Sequence, residues 1–540
     1  METRKQKKNL SDAVIAAFAA ALALIAAAAF ALSVWWACAY IPYRAAVDLT
    51  ERHQTLRGFG ASSAWYWQDM GANASEETAE RAVEMLYGDD GLRLNIFRYN
   101  IGGGSADAAL DGAVPYSNGG FDEFRRAESF FVAENVPEAE RGDAEAVSAA
   151  FRDESNYDFE NRDAAVRSMF GKALATGNVT KVVFFANSPH YLMTESGTCT
   201  GEYPGQNNLK PEFYEAFADY LLIIVNNLYE TYLAGPDKVP TVAVSPVNEP
   251  QWDWGGPYSS QEGCHYDPEA LAALADVMQR KIAEFNAENG TRFELDLFES
   301  GSIGFYDEGY DIRDYLSALA KYDWFCGLDG ISVHDYVVDA SRTERTRLRR
   351  YLDENYPHLA VRATEFCEMQ AGEFDTAESG MYLAKVVLRD LTLLDAEEWS
   401  WWLSVAKGTY NDGLVYWNAA SARADGAGLY VLKRYYAFAQ FTRYLSEGDV
   451  RVGCTLSDPM DWTGVDIGAF VKPDGSAVVI AVNDGAAKSL RLDGLEGFEG
   501  RTATAVCTDA EREAEESDFV FGGGVELAAD SVTTFVFSAV

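Results

Sequence analysis

Thr241-Val242-Ala243-Val244-Ser245-Pro246-Val247-Asn248-Glu249-Pro250-Gln251-Trp252 is a small, β-branched apolar run that ends abruptly in polar, acidic and aromatic groups. An unbroken apolar run marks a strand buried on both faces, as in a parallel sheet covered by helices. The pattern recurs along the chain. Further strand-like runs fall at 57–62, 92–100, 181–187, 293–299, 330–333, 360–365 and 397–402. Helical patterns separate them, for example at 211–231 and 268–289. The second of these opens with Pro268 after Asp267 and stops at Asn289-Gly290, which are ordinary start and stop signals. Eight strands alternating with helices predict an α/β fold, a (β/α)8 TIM barrel.

After about Tyr430 the texture changes. Short alternating segments at 468–471, 477–483, 489–492, 502–507 and 531–538, separated by Gly and Asp, predict an attached antiparallel β-sandwich side domain. The domain reading is therefore 1–43 as a targeting segment, 44–57 as N-terminal strand or strands of the sandwich, 58–429 as the barrel and 430–540 as the sandwich. The stretch 105–158 has weak periodicity and predicts a long loop after the second barrel strand. Loops on that face of a barrel shape the substrate cleft. Gly102-Gly103-Gly104 leads into a polar stretch and no helix, so it reads as a turn at the rim instead of a phosphate cradle.

Arg4, Lys5, Lys7 and Lys8 precede a stretch from Ala13 to Tyr43 that carries no charge. This predicts a signal peptide or a membrane anchor, with the rest of the chain outside the cell. The net charge is −40, which excludes nucleic acid as a main partner, because phosphate chains need clustered Lys and Arg. The five His show no metal-ligand spacing, so neither a metal nor a cofactor is expected. There are seven Cys. Setting aside Cys38 in the apolar segment leaves an even set compatible with disulfides outside the cytosol.

Four strand ends are dense in polar and aromatic groups: Arg98-Tyr99-Asn100, Asn248-Glu249-Pro250, His334-Asp335-Tyr336 and Thr364-Glu365. Strand ends converge at one mouth of a barrel, so these groups can meet. Glu249 reads as a carboxyl whose pKa is raised to donate a proton, and Glu365 as an ionised nucleophile. The competing reading of each is a structural ion pair. Arg98 is placed to hold Glu365 ionised, with His334 or Tyr336 as hydrogen-bond partners. Asn187 and Asn248 are candidate contacts to sugar hydroxyls. Trp65, Tyr191, Trp252 and Trp402 are candidate platforms for sugar rings, against the alternative that such rings are core.

Taken in order, Gly58-Phe59-Gly60-Ala61-Ser62, Arg98-Tyr99-Asn100-Ile101-Gly102-Gly103-Gly104, Asn187-Ser188-Pro189, Ser245-Pro246-Val247-Asn248-Glu249-Pro250 and Thr364-Glu365 resemble glycoside hydrolase family 30. The resemblance runs from about residue 48 to the C-terminus. It implies a barrel with a side β-sandwich whose first strand or two precede the barrel. It also implies double displacement with retention, with Glu249 as acid/base and Glu365 as nucleophile. Within the family, the segments around Arg98–Gly104, 196–201, 261–265 and 365–367 are most similar to the endo-β-1,6-galactanase branch, which implies β-1,6-linked galactan side chains of arabinogalactan as substrate. His190 stands where a second Pro is usual after Ser188-Pro189.

The alternatives are another β-glycosidase of the same family (β-glucosidase, β-xylosidase, β-fucosidase or xylanase), a non-catalytic carbohydrate-binding protein, and adhesion through the sandwich, where Trp462 is a candidate. The expected partner is an oligo- or polysaccharide, with membrane contact only through the N-terminus, and the chain is expected to be a monomer. Cys199 and Cys264, on loops after the third and fourth strands, are expected to form a disulfide. The pairing of Cys326, Cys367, Cys454 and Cys507, and endo versus exo action, stay open.

Overall fold

Strand β1 (Tyr43–Thr55) precedes the barrel in sequence but does not belong to it. The barrel strands follow: β2 (Gly58–Ser62), β3 (Ile96–Asn100), β4 (Lys181–Phe185), β5 (Thr241–Ser245), β6 (Glu294–Leu295), β7 (Gly330–His334), β8 (Ala360–Glu365) and β9 (Ala396–Ala406). These pair in parallel in the order β8-β9-β2-β3-β4-β5-β6, and β7 pairs with β8. The structure is a computed structural model and describes residues 19–32, 43–107, 121–235, 241–370, 372, 375–408, 410–457 and 464–539.

Each of the eight expected strands is present. The fifth is the shortest, because its regular pairing to β5 ends at Leu295. The barrel closes on β7 through the chain just beyond. The Ser332 N–H donates to Leu297 O at 2.6 Å, and the His334 N–H donates to Ser300 O at 2.6 Å. Helices cover the outside. The helix Pro268–Asn289 runs between the expected residues, with the Asp267 side chain accepting from Ala270 N–H and Gly290 at φ 68° closing it. The helix expected over 211–231 begins with a 3-10 turn, Pro211–Phe213, and ends in a π turn, Tyr229–Leu233. Among its described residues, the 105–158 loop carries several short 3-10 turns and one α-helix, Ala144–Arg152, capped by Asp143.

Alternation along the strands sorts side chains into layers inside the barrel. Ile96, Val183 and Ala243 form a small apolar layer of their own. Below it lies an ion cluster. Lys181 donates to both oxygens of Glu398 at 2.6 and 2.9 Å, and Arg362 bonds Asp296 and Asp329. Above it, Arg98 lies over the Phe185 ring at 4.5 Å. Gly60 is required at this waist, since a Cβ there would sit 2.7 Å from Ile96 O.

Two short strands, β10 (Gly413–Trp417) and β11 (Leu429–Tyr430), extend the barrel sheet beyond β9. The helix Lys433–Thr442 then leads to β12 (Val450–Leu456), β13 (Val465–Val471), β14 (Ala477–Asn483), β15 (Lys488–Asp493), β16 (Thr502–Thr508), β17 (Glu515–Val520), β18 (Gly524–Leu527) and β19 (Ser531–Phe537). With β1 they form a separate nine-stranded sheet with its own core. Every pairing is antiparallel except β1 with β15. β1 enters this sheet from the N-terminal side of the barrel, so the side domain is mixed instead of wholly antiparallel. The expected targeting segment lies largely outside the described residues, as do Cys38 and Trp462. Its described part, 19–32, is helical and exposed. No helix among the described residues is long and apolar enough to cross a membrane.

The ion cluster at the barrel floor yields a stability prediction. Glu398 is buried and also faces Arg57 and Arg362 at 3.6 and 3.7 Å. Glu398→Ala leaves the buried Lys181 ammonium without its carboxylate and is expected to cost about 3–5 kcal/mol. The check is the urea unfolding midpoint, and an unchanged midpoint would refute this account of the floor.

Candidate active site

The middle of β3, the turn just after β5, and the C-terminal ends of β7 and β8 deliver Arg98, Glu249, His334 and Glu365 to one mouth of the barrel. Arg98 and His334 are fully buried, and Glu249 and Glu365 are about 6% and 5% exposed. Arg98 Nη1 donates to Glu365 Oε2 at 3.1 Å. Tyr336 OH donates to Glu365 Oε1, also at 3.1 Å. His334 Nδ1 lies 3.1 Å from Glu249 Oε1 and 3.7 Å from Glu365 Oε1. The facing oxygens of Glu249 and Glu365 and a His334 nitrogen all lie within 4.8 Å of one another. That spacing is near the separation of about 5–5.5 Å that double displacement needs, and well short of the separation of about 6.5–9.5 Å for direct displacement by water.

Sequence reasoning singled out Arg98, Glu249, His334, Tyr336 and Glu365, and these do meet. It passed over Glu299, which is fully buried just beyond the fifth barrel strand. Glu299 Oε1 accepts from Arg98 Nη2 at 3.2 Å and from Ser245 Oγ at 3.2 Å. Its Oε2 is 2.8 Å from His334 Nε2 and accepts from Thr364 Oγ1. Its carbonyl accepts the Glu249 N–H at 2.8 Å. An acid ending a strand-like run was the available signal, the same one that marked Glu249 and Glu365.

Charge follows from these contacts. Burial alone would raise Glu299, but Arg98, His334 and Thr364 outweigh it and hold the carboxyl at about 2. Burial alone would lower His334, but Glu365, Glu249 and Glu299 raise it to about 10. The ring therefore carries its proton at neutral pH and donates from both nitrogens. Burial pushes Glu365 up, opposed by His334 and then Arg98. His334 has no lone pair free for a metal while both its nitrogens face carboxylates.

A cleft of about 380 Å³ opens above the two carboxylates. Trp65, Trp252 and Trp402 line it as expected. Trp65 meets Trp402 edge-to-face at 5.2 Å, and Arg125 covers Trp65 at 4.5 Å. Trp252 is admitted by Gly301, where a Cβ would lie 2.2 Å from the indole nitrogen. Trp254 also lines the cleft, and its indole N–H donates to Glu249 O at 3.0 Å. Asn248 and Asn187 are buried, each with an amide oxygen that has no protein partner. Asn187 lies 3.4 Å from Asn100.

Arg125 and Asp412 also line the cleft, and the sequence had not marked them. They come from the long loop and from the segment after β9, where no periodic pattern points at a site. Asp412 is raised to about 6 by burial, opposed by Arg125 and Arg434, and its Oδ1 has no partner. It brings a desolvated carboxyl to the cleft wall.

Two expectations are corrected. Tyr191 is buried and does not line the cleft. His190 accepts from Leu192 N–H at 3.2 Å, and the resulting 3-10 turn stacks Tyr191 on the His190 ring at 4.3 Å. His190 itself is packed among Phe131, Phe151 and Tyr220, and burial lowers it to about 3. It is a neutral core residue, so its departure from the usual Pro does not touch substrate directly. Cys199 and Cys264 are free buried thiols. Their loops do meet, with Gly263 N–H donating to Cys199 O at 3.0 Å. The thiols have separate partners, however: Cys199 faces Glu262, and Cys264 donates to His265 O at 3.6 Å. Cys326, Cys367, Cys454 and Cys507 are free as well.

Comparison with known proteins agrees with this architecture. The sequence profile of O-glycosyl hydrolase family 30 matches residues 42–416, and that of the family 30 beta sandwich domain matches residues 448–535. An endo-beta-1,6-galactanase of Hypocrea rufa is 24% identical over 458 residues, covering 83% of this chain and 82% of the relative. An exo-beta-1,6-galactobiohydrolase of Bifidobacterium longum subsp. longum is 30% identical over 282 residues, which is 45% of this chain but 17% of that longer protein. A conserved exported protein from Bacteroides fragilis shares the fold, with a TM-score of 0.74 at 20% identity, covering 91% of this chain and all of that one. With both halves matched in order and the strand-end carboxylates in place, the chain belongs to glycoside hydrolase family 30.

Proposed function

We propose that this glycoside hydrolase works by double displacement, with Glu365 as nucleophile and Glu249 as general acid and base, and that it cleaves β-1,6-linked galactan. The observation that carries the mechanism is the pair of carboxylates within 4.8 Å at one cleft, each against a buried cation. In the first step a Glu365 oxygen attacks the anomeric carbon as the bond to the leaving oxygen breaks. Glu249 gives its proton to that oxygen, and a glycosyl ester forms on Glu365. In the second step water attacks the same carbon. Glu249 takes the water's proton, and the ester bond breaks to return Glu365 as a carboxylate. Two inversions leave the β configuration retained.

Buried cations fit both roles. Arg98 and Tyr336 hold Glu365 in place and favour its ionised form against the burial that opposes it. His334 and the Trp254 indole fix Glu249. The rings of Trp65, Trp252 and Trp402 offer faces to sugar C–H groups, while Asp412 and Arg125 offer an acceptor and a donor to hydroxyls. Galactan as substrate is supported by the names of the two relatives and by the resemblance of the loop segments. The basic and apolar N-terminus supports an extracellular setting, where a polysaccharide is met before transport. Xylan or a β-glucoside is the second reading within the same family.

Glu365→Gln is expected to lower kcat by at least about a thousandfold with the fold intact, since an amide cannot form the ester. Near-normal turnover would remove Glu365 from the role. Glu249→Ala is expected to spare activated aryl glycosides relative to substrates with poor leaving groups. Added azide should then yield a β-glycosyl azide, visible by NMR. Equal losses on both substrate types, with no azide product, would return Glu249 to a structural role.

Incubation with β-1,6-galactan, β-1,3-galactan and glucuronoxylan tests the substrate. The expected products are short β-1,6-galacto-oligosaccharides, initially of β configuration, from the first polymer alone. Release from xylan with none from β-1,6-galactan would overturn the substrate and leave the chemistry standing.

A further inference from the structure

Two cations and three carboxylates are buried together at the barrel mouth, and only two of the carboxylates face the cleft. The third, Glu299, is wholly enclosed, and both its oxygens are fully engaged. One binds Arg98 and Ser245, and the other binds His334 and Thr364. Arg98 reaches Glu365 with its other terminal nitrogen, and His334 reaches Glu249 with its other ring nitrogen. One buried group therefore stands behind both cleft carboxylates, and its carbonyl also accepts the Glu249 N–H. Both Glu249 and Glu299 take left-handed backbone angles, φ 47° and 51°, outside the range most side chains adopt. The paired local cost at this contact points to a conformation held for the site.

We propose that Glu299 is the positioning residue of this site: it holds Arg98 against Glu365 and His334 against Glu249, and its charge balances one of the two buried cations. This rests on the roles proposed above for Glu249 and Glu365. A buried cluster is stable when its charges balance. Arg98 and His334 supply two positive charges. Glu299 and Glu365 balance them when ionised, with Glu249 in the acid role proposed above. Without the charge on Glu299, the two cations facing Glu249 and Glu365 favour ionisation of both cleft carboxylates, which drains the proton-donating state at lower pH.

The groups facing Glu299 come from every strand around it: Arg98 from β3, Ser245 and then Glu249 from the β5 end, His334 from β7, and Thr364 and Glu365 from β8. Only Arg98, His334, Glu249 and Glu365 among them titrate or carry charge. Glu299 does not face the cleft, so it acts through these neighbours and touches no substrate.

The test is Glu299→Gln, which keeps shape and removes charge. The alkaline limb of kcat/KM is expected to move toward lower pH by about one unit or more. At neutral pH, kcat on substrates with poor leaving groups should fall more than on activated aryl glycosides, with KM little changed. Glu299→Asp should restore the limb toward its native position. A Glu299→Gln protein with the native limb would overturn the proposal. Should that variant not fold, ¹⁵N NMR of histidine in the native protein decides the matter. Both His334 ring nitrogens are expected to be protonated through pH 8, and a neutral ring at pH 7 would overturn the proposal. Loss of the Glu249 role would show separately, as absence of azide rescue in Glu249→Ala, while the His334 ring still reports on Glu299.

Discussion

Everything at the barrel mouth depends on burying two cations among three carboxylates. Arg98 and His334 have no exposure to water, and neither does Glu299. Removing such charges from solvent is costly, and only well-made pairs offset that cost. The barrel makes such pairs possible because its strands hold inward side chains in fixed rows. Arg98 comes from the middle of β3, so its guanidinium rises to the mouth over Phe185 with both terminal nitrogens free to reach different strands. A loop residue would lose more freedom on being fixed this way.

The same logic repeats at the barrel floor with different residues. Lys181, Arg362 and Glu398 form an ion cluster below the apolar layer of Ile96, Val183 and Ala243. The apolar layer separates two charged ones, so each is balanced locally. The floor cluster spans β4, β8 and β9 and does not line the cleft that Glu249 and Glu365 face. Its contribution is to closure of the barrel, while the mouth cluster bears on chemistry. The side domain is tied to the barrel by sequence order: β1 lies in the sandwich sheet and β2 in the barrel, only two residues apart.

How much of this was legible in the sequence follows from where each signal comes from. Strands buried on both faces write themselves as apolar runs, so β4, β5 and β8 could be read directly. Acids ending such runs marked Glu249 and Glu365. Glu299 lies just beyond the fifth strand, but its run, Phe293-Glu294-Leu295-Asp296-Leu297-Phe298, carries two acids, and the strand's regular pairing is short. Tyr191 and His190 misled because an aromatic pair beside a strand end reads equally as platform or as core, and only the 3-10 turn decides. Arg125 and Asp412 were invisible, because irregular segments carry no period from which to place a side chain. For the thiols, adjacency of loops was readable from the strand order, whereas the direction in which each Sγ points was not.

That division suggests where this protein's specificity resides. The charged cluster is built by strands and is enclosed, so changing it disturbs several pairs at once. The cleft walls above it come from loops: Arg125 from the stretch after β3, Trp252 and Trp254 from the turn after Glu249, and Asp412 from the segment after β9. Loops of this kind can change without disturbing the buried pairs beneath them. Asp412 is the clearest case, since its Oδ1 lacks any protein partner although it is nearly enclosed. An acceptor left open at that cost is best offset by a ligand hydroxyl. Asn187 and Asn248 each likewise have a buried amide oxygen with no protein partner. On the roles proposed above, bond breaking falls to strand-borne groups and the choice of sugar to a few loop-borne acceptors and rings.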